Sequence, residues 1–329
     1  MMLETSLSLF VSIVVTYITS LMLINIEKKH GILCKDAHKP YEYFVPCIGG
    51  FPLYVGIIIG LGMLYLFSVV GYRTLISSVL VLSIGLLVGF MDDVFGLRSR
   101  WKILLGLFPA LPMIIMGFYS PRPWIPFIGH TRLYLVYPVL MLIASTVYLN
   151  GVNMIDTHNG SLPMFAFTVT FFALILKIVR GFSTEEMILL ILFAVTLLIY
   201  LMFNKYPAKI FNGNTGAFLM GSMLFLVLVF TRVEFYMILA SIPMFLNGFY
   251  YISSVKGFLQ KEQVARPTYV NGNGCIHSTK STHPITFVKL ILALGGRPLS
   301  EKELIEVLYL VYISTSLISF LLCYLLGYS

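Results

Sequence analysis

Charged side chains are scarce in this sequence: Asp, Glu, Lys and Arg together make up 11% of its 329 residues, whereas hydrophobic residues make up 58%. A water-soluble domain of this length carries about a quarter charged residues. So little charge cannot cover a water-exposed surface, and most of the outer surface must therefore contact lipid. The composition excludes an ordinary soluble globular domain.

Cysteine is also rare, and its spacing carries no metal signature. Cys34, Cys47, Cys275 and Cys323 form no CxxC pair, and we expect four unpaired thiols. No basic stretch is interleaved with aromatic residues, which argues against a nucleic-acid partner despite the net charge of +8. Low-complexity tracts and soluble linkers are absent too, which favours a single integral membrane domain over residues 1–329.

Apolar runs fill most of the chain. A helix needs about 20 apolar residues to cross the hydrocarbon core of a bilayer, and we predict an all-α, polytopic membrane protein with about ten transmembrane helices. The first run lacks a positively charged leader and a small-residue cleavage site, so we interpret it as a retained span. The runs cover approximately residues 3–25, 49–70, 74–91, 102–120, 133–150, 162–179, 187–203, 215–231, 235–254 and 305–327.

Lysine and arginine are distributed unequally between the connections that these runs define. Alternate connections hold most of the 22 basic residues, and the segment 255–303 is the richest of them. By the positive-inside rule these connections are cytoplasmic, which places both termini outside. The polar motifs described next fall in the same set of connections, so we expect a working site at the cytoplasmic face. The sparsely charged connections hold Arg73, Arg122, Arg132, Lys177, Arg180 and Arg232.

Two adjacent carboxylates, Asp92 and Asp93, end the third apolar run. The negative end of the helix dipole lies there, so both carboxylates need a compensating cation. Arg98, Arg100 and Lys102 follow closely, and a divalent metal such as Mg²⁺ is an alternative because it prefers oxygen ligands. The same residues would also form an ion-pair cluster that merely anchors the helix, and the motif alone leaves these alternatives open.

Amide side chains are grouped after the fifth run. Asn150 and Asn153 are three residues apart and share a helix face if the helix continues, whereas Asp156 to Gly160 is typical of a turn. Buried amides hold a metal, a base edge or a hydroxyl, and a capped helix followed by a turn is the structural alternative. His158 within this turn is more typical of a loop histidine than of a catalyst.

A glycine-containing turn and a long basic loop complete the candidate site. The turn Phe211-Asn212-Gly213-Asn214-Thr215-Gly216 precedes an apolar run, where the backbone can approach a ligand and a helix N-terminus favours an anion. A plain capped turn is the alternative. The loop 255–303 contains Arg266-Pro267, Lys280 and His283-Pro284, and it belongs either to the site or to a basic anchor at the lipid surface.

Together these motifs resemble the polyprenyl-phosphate N-acetylhexosamine-1-phosphate transferases, glycosyltransferase family 4. This family includes the archaeal and eukaryotic dolichyl-phosphate GlcNAc-1-phosphate transferases and the bacterial translocase of peptidoglycan synthesis. The resemblance rests on Gly31 to Gly56, on DDxxxLRxxxK at 92–102, on NxxN…NG at 150–160 and on GxTG at 213–216. The family's ten-span plan and cytoplasmic active site agree with the pattern of runs and charges.

The resemblance implies a reaction and its requirements. HexNAc-1-phosphate, here GlcNAc-1-phosphate, would pass from a UDP-sugar to a polyprenyl (dolichyl) phosphate, releasing UMP, as the first step of lipid-linked oligosaccharide synthesis for N-glycosylation. The lipid phosphate would attack directly. The family implies Mg²⁺ as cofactor, with Mn²⁺ as a substitute, location in the cell membrane, and a homodimer.

The motif residues of the family also imply roles for residues of this chain. Asp92 and Asp93 match the aspartate pair that serves as base and metal site, and Lys102 matches the lysine near the transferred phosphate. Asn153, Asn214 and Asp156 are the implied metal ligands. The residues assigned to substrate binding are Asn150, Asn159 and Phe211 (the last two at the uracil base), Gly213, Arg266 at the pyrophosphate, and Lys39.

Three features depart from the family pattern. The family's metal-binding aspartate in GDTG is Asn214 here, and we expect Asp156 to restore the missing negative charge. The family's Pro-Glu before the paired glycines is Pro46-Cys47, which removes one expected sugar contact. The bacterial triple histidine is absent, which argues against a MurNAc-pentapeptide substrate, and the compact loop around Arg266 resembles the archaeal GlcNAc branch.

Two other functions compete with this interpretation. A secondary transporter would carry its carboxylates near the membrane midplane and show an inverted repeat, and neither feature is apparent here. An inactive homologue, deprived of a metal ligand by Asn214, is the second alternative. Transfer assayed with and without Mg²⁺ separates all three.

Overall fold

The computed structural model describes residues 2–181, 183–257, 264–279 and 284–328. Within these ranges the chain is mostly helical, and three small antiparallel sheets lie in the connections between helices. The prediction of an all-α protein therefore holds for the apolar runs but missed these hairpins. Lys280 and His283, which belong to the loop 255–303, lie outside the described residues.

Seven of the described helices are long and apolar enough to cross a membrane. Two further helices, α10 (Glu234–Ala240) and α11 (Ile242–Val255), bend by 58° where they meet and add an eighth candidate if they form one span. The seven are α1 (Met2–His30), α3 (Tyr72–Phe95), α6 (Tyr137–Ile155), α7 (Ser161–Arg180), α8 (Thr184–Asn204), α9 (Gly213–Phe230) and α13 (Glu301–Leu325).

The two remaining predicted spans have a different form. The second run forms α2 (Gly50–Leu66), an apolar helix of 17 residues. The fourth run is divided into α4 (Ser99–Leu105) and α5 (Ala110–Ile115), because Pro109 lacks the backbone donor that would continue α4. The described residues thus support seven or eight candidate spans, and the expected count of about ten goes beyond what helix length and composition show.

The connections carry the β-structure and one amphipathic helix, α12 (Phe287–Gly295). All the strand pairs are antiparallel: β1 with β2, β3 with β4, and β6 with both β5 and β7. The strands are β1 (Leu33–Lys35), β2 (Phe44–Pro46), β3 (Trp124–Ile125), β4 (Gly129–His130), β5 (Thr268–Val270), β6 (Cys275–Ser278) and β7 (Leu299–Ser300).

Helix α9 lies at the centre of the bundle, since every residue from Thr215 to Val229 is buried. Its closest neighbour is α3, whose Gly85 and Gly89 face it. A Cβ atom at Gly89 would lie 2.3 Å from the Asn214 carbonyl oxygen, and one at Gly85 would lie 2.8 Å from Ser222 Cβ. Small residues of this kind let two helix backbones approach closely in a membrane. The approach brings the C-terminal end of α3, with Asp92 and Asp93, against the first turn of α9.

The expectation of four unpaired thiols was wrong, because Cys34 and Cys47 form a disulfide. In the β1–β2 hairpin Cys34 pairs with Val45, and the two cysteine Cα atoms lie 5.6 Å apart, within the range that a disulfide spans. Cysteine spacing was judged only for metal motifs, which cannot detect pairing across a hairpin. Cys275 and Cys323 are free, as expected.

Candidate active site

Asp93 caps the first turn of α9. One of its carboxylate oxygens accepts a hydrogen bond from the Asn214 backbone N–H at 2.8 Å. The other accepts from the Thr215 backbone N–H at 2.8 Å and from the Thr215 hydroxyl at 2.6 Å. A helix N-terminus presents unpaired N–H groups and positive dipole charge. Asp93 therefore fixes α9 through a charge-assisted cap supplied by a neighbouring helix.

Asp92 points to a different partner, Lys102. The Lys102 Nζ lies 2.7 Å from Asp92 Oδ2, and the Leu97 backbone N–H donates to Asp92 Oδ1 at 2.9 Å. The chain reverses at Gly96, whose φ of 62° favours glycine, and this turn returns Lys102 to Asp92. The Asp92 side chain is 2% exposed and that of Lys102 26%. A buried carboxylate is thus neutralised by a lysine that still reaches solvent.

Amide side chains link the end of α6 to the beginning of α9. Asn153 Nδ2 donates to Asn214 Oδ1 at 2.6 Å, and Asn212 Nδ2 donates to Asp156 Oδ1 at 2.7 Å. The predicted metal ligands Asn153 and Asn214 are therefore in contact with each other. The third, Asp156, contacts Asn212, which is two positions before Asn214. Carboxylate and amide oxygens are the donors that Mg²⁺ prefers, so the oxygens of these three side chains are of the kind that fits the ion.

Asn150 occupies a helix contact. Its Nδ2 donates to the Thr146 carbonyl at 2.9 Å and to the Lys102 carbonyl at 3.3 Å. These bonds tie α6 to α4 and so help to hold the backbone of Lys102. The structure therefore gives the Asn150 amide protein partners, and its assignment as a substrate contact stays a prediction.

Phe211 and Gly213 form the turn that enters α9. The Phe211 backbone N–H donates to the Pro46 carbonyl at 2.7 Å, and its carbonyl accepts from the Gly49 N–H at 2.9 Å. Gly213 has φ of 64°, and a Cβ there would lie 2.4 Å from the Cys47 carbonyl oxygen and 2.8 Å from Asp93 Oδ2. Only glycine fits this position. The Phe211 ring is half-buried, and its assignment as a contact to the uracil base stays a prediction.

Lys39 and Asn159 belong to a second buried polar cluster. Lys39 Nζ lies 3.4 Å from Asp36 Oδ2 and forms an ion pair with Glu301, and Asn159 Nδ2 donates to Asp36 Oδ2 at 3.3 Å. Ligand atoms of Asp36, His38 and Glu301 lie within 4.8 Å of one another. The Lys39 ammonium already supplies a cation between these two carboxylates. Burial lowers the Lys39 pKa, but the hydrogen bond to Glu301 and the negative charges of Glu301 and Asp36 together raise this pKa overall.

Two histidines lie beside this cluster. The rings of His38 and His158 stack with centroids 4.2 Å apart. Burial lowers the pKa of His158 well below its usual value, and the neighbouring His38 lowers it further. Burial likewise lowers the pKa of His38, and the positive charges of Lys39 and the exposed Arg266 lower it further. The negative charge of Asp36 acts in the opposite direction but does not cancel these effects. His158 is thus a buried neutral ring, and Arg266 lies near His38.

The sequence analysis missed three acidic side chains at this edge of the bundle. Glu27 is buried at the end of α1, and Glu301 and Asp36 bind Lys39. Glu27 Oε2 accepts from the Cys47 and Ile48 backbone N–H groups at 2.7 and 3.3 Å. Asp36 lies within the segment Gly31 to Gly56, which carries part of the family resemblance, but no role was assigned to it. The sequence carried no signal for Glu27, because an acidic residue beside Lys28 and Lys29 is typical of a solvated helix end.

Comparisons with known proteins give one family and two groups of relatives. The description "Glycosyl transferase family 4" matches residues 75–232, which contain Asp92, Asp93, Lys102, Asn153 and Asn214. A putative UDP-N-acetylglucosamine–dolichyl-phosphate N-acetylglucosaminephosphotransferase of Sulfolobus acidocaldarius is 32% identical over 228 residues, covering 66% of this chain and 68% of the relative. Its namesake from Saccharolobus solfataricus is 29% identical over 220 residues, with the same coverage.

The second group is named for a different sugar. A phospho-N-acetylmuramoyl-pentapeptide-transferase of Thermotoga petrophila is 32% identical over 193 residues, which is 53% of this chain and 59% of the relative. Coverage does not separate the two groups, because another transferase of the second group, from Dictyoglomus turgidum, matches 77% of this chain and 81% of its own length at 27% identity.

The ion pair between Asp92 and Lys102 predicts an asymmetric response to mutation. Lys102→Met leaves a buried carboxylate without its cation and should lower the free energy of unfolding by about 3–5 kcal/mol. Asp92→Asn should cost less, because Lys102 can turn to solvent. The double variant should recover part of the loss, with a coupling free energy above about 1 kcal/mol. Denaturant unfolding in detergent micelles measures all three.

Lys302→Met is the matched control, because the Lys302 side chain is 70% exposed and its nearest carboxylate, that of Glu306, lies 3.9 Å away. Its unfolding midpoint should equal that of the wild type. Strictly additive losses in the Asp92 and Lys102 variants would show that the two side chains do not interact.

Proposed function

The chain belongs to glycosyl transferase family 4 and is a transferase, and from this premise we propose that it transfers GlcNAc-1-phosphate from UDP-GlcNAc to a polyprenyl (dolichyl) phosphate. The products would be polyprenyl-pyrophosphoryl-GlcNAc and UMP, the first step of lipid-linked oligosaccharide synthesis for N-glycosylation. One observation carries the proposal: the carboxylates Asp92 and Asp93, Lys102 and the first turn of α9 meet at one edge of a helical membrane bundle.

The choice of sugar rests on motifs in the sequence. The two archaeal relatives named for N-acetylglucosamine match 66% of this chain at 29 and 32% identity, and a relative named for N-acetylmuramoyl-pentapeptide matches 77% of it at 27% identity, so similarity alone does not decide between the two sugars. The absence of a triple histidine and the compact loop around Arg266 favour N-acetylglucosamine. An archaeal N-glycosylation enzyme is therefore the proposal, and a homodimer, checked by the mass of the purified protein in detergent, is part of it.

The chemistry requires two anionic phosphates to meet. An oxygen of the lipid phosphate would form a bond to the β-phosphorus of the UDP-sugar, and the bond from that phosphorus to the bridging oxygen would break, releasing UMP with the electron pair. Lys102 is placed to turn from Asp92 towards the transferred phosphate, because part of its side chain reaches solvent. Asp92 would then accept the proton of the lipid phosphate, and Asp93 would hold α9 in place.

Members of glycosyl transferase family 4 generally require Mg²⁺. Asn153, Asn214 and Asp156 would hold the ion, or Mn²⁺ in its place, since their oxygens are suitable donors at the edge where α6 meets α9. When bound, the ion supplies positive charge to the pyrophosphate.

Transfer should depend on the aspartate pair and on Lys102. We expect Asp92→Asn, Asp93→Asn and Lys102→Ala each to lower transfer by at least ~100-fold, the scale of losing a base or a charge-stabilising group. The assay measures radiolabel from UDP-GlcNAc in a lipid extract, with and without Mg²⁺. Glu42→Gln is the control, because Glu42 pairs with Lys35 and its side chain is 74% exposed. Near-wild-type transfer in any of the three variants would contradict the role proposed for that residue.

The role assigned to Asp156 predicts how the protein responds to Mg²⁺. Because Asn214 brings no charge, Asp156→Asn should raise the Mg²⁺ concentration for half-maximal transfer, and adding Asn214→Asp should recover part of the loss. Electron paramagnetic resonance measures the affinity for Mn²⁺ without substrate, and it should rank the wild type, Asp156→Asn and the double variant in the same order independently of activity. If the effects of the two changes simply add, Asp156 does not compensate for Asn214.

We propose that the site faces the cytoplasm, in an integral protein of the cell membrane, on the basis of the distribution of Lys and Arg. Arg100 and Arg132 are both exposed and lie in connections of opposite predicted side. In a Cys275→Ser background, Arg132→Cys should react with an impermeant thiol reagent in intact cells, and Arg100→Cys should react only after lysis. The reverse labelling would invert the topology.

A further inference from the structure

A short segment, residues 46–50, connects the end of α1 to the turn that begins α9. On one side the Glu27 carboxylate binds the backbone N–H groups of Cys47 and Ile48. Within the β1–β2 hairpin the Cys34–Cys47 disulfide fixes the same segment. Residues 46–50 are called the clamp segment below.

The opposite side of the clamp segment binds Phe211. Pro46 accepts a hydrogen bond from the Phe211 N–H at 2.7 Å, and the Gly49 N–H donates to the Phe211 carbonyl at 2.9 Å. These paired bonds hold the backbone of the proposed uracil contact in the manner of a short strand pair. Movement of the clamp segment must therefore move Phe211 or break both bonds.

Close packing leaves little room for independent movement. A Cβ at Gly49 would lie 2.3 Å from the Phe211 carbonyl oxygen, and one at Gly50 would lie 2.6 Å from the Gly216 nitrogen. A Cβ at Gly213 would lie 2.4 Å from the Cys47 carbonyl oxygen. The clamp segment is thus in backbone contact with the beginning of α9 at Pro46, Cys47, Gly49 and Gly50, and a displacement of one is transmitted to the other.

The hairpin that carries the disulfide is held mainly through β2, whose Val45 and Pro46 are buried, and β1 depends on its pairing with β2 and on the disulfide. Strands β1 and β2 are three residues each, and all three residues of β1 are exposed. A two-stranded hairpin is marginally stable by itself. A covalent bond across it restricts the open states that the pairing alone would permit.

We propose that the Cys34–Cys47 disulfide is a positioning bond for the nucleotide end of the active site. Acting through the clamp segment, it holds Phe211 and Gly213 where the uridine part of the donor binds. The inference rests on the proposed function for the identity of that ligand. Asp92 and Lys102 lie on α3 and α4, and the contact between α3 and α9 does not pass through the disulfide. Loss of the disulfide should therefore weaken donor binding more than it slows phosphoryl transfer.

Cys34→Ser is the sharpest test, because Cys34 is exposed and its bond to Cys47 joins it to the clamp segment. We expect the KM for UDP-GlcNAc to rise about tenfold, since small displacements of a binding group have effects of this order, with kcat within about twofold of wild type. Cys275→Ser makes the same change at a free cysteine and should leave both constants unaltered.

Chemical reduction gives an independent arm. Dithiothreitol would reduce the disulfide to two thiols while its own two thiols close to a cyclic disulfide, and alkylation followed by mass spectrometry counts the thiols released. Treated wild-type protein should match Cys34→Ser, and treatment should not change Cys34→Ser further. Binding of UDP-GlcNAc by calorimetry should weaken in parallel, a readout that does not require transfer.

The outcomes separate this inference from the proposed function. Active wild-type protein whose KM and donor affinity are unchanged by loss of the disulfide would overturn the inference alone, as would free thiols at both positions in the isolated protein. A fall of about tenfold in kcat with an unchanged KM would also overturn the inference. Wild-type protein that binds UDP-GlcNAc in a disulfide-dependent way but transfers nothing would overturn the proposed function and support the positioning role.

Discussion

The contact between the Asp93 carboxylate and the first turn of α9 is the interaction on which the rest of the site depends. A helix that begins inside a membrane protein exposes N–H groups that lipid cannot satisfy, and a carboxylate buried beside it needs donors. Each group meets the requirement of the other at distances of 2.6–2.8 Å. The contact is geometrically available only because Gly85 and Gly89 let α3 approach α9. Asn214, Gly213 and Phe211 then take their positions from the fixed start of α9.

Local patterns in the sequence were sufficient for the helices and for part of the site. An apolar run of about 20 residues has few alternatives to a helix in lipid, so the runs at α1, α3, α6, α7, α8, α9 and α13 were predictable. The pairing of Asp92 with Lys102 was foreseeable for a related reason, since carboxylates at a helix C-terminus require a nearby cation. Their separation of ten residues is bridged by a single glycine turn.

Contacts between distant residues were not predictable from the same patterns. Glu27 binds backbone groups of Cys47 and Ile48, and Lys39 binds Glu301 across 262 positions. No periodicity relates such partners, because their choice follows from how whole helices pack. The disulfide depends on the register of a hairpin whose strands are too short to be recognised, and the break before α5 depends on one proline. Burial of polar groups is thus decided by packing that a single sequence does not display.

Burial also decides which lysine is available for chemistry. The Lys39 side chain is 7% exposed and lies between two carboxylates, so binding a substrate anion would first require breaking a buried ion pair, at a cost of about 3–5 kcal/mol. Lys102 has one carboxylate partner, Asp92, and keeps 26% of its side chain exposed, so it can exchange that partner for a phosphate with water present to compensate. The family resemblance assigns both lysines to the substrate, but their surroundings in the structure favour a chemical role for one and a structural role for the other. Lys102 is suited to the reacting phosphate, and Lys39 to holding the connection between β1 and β2 against the start of α13.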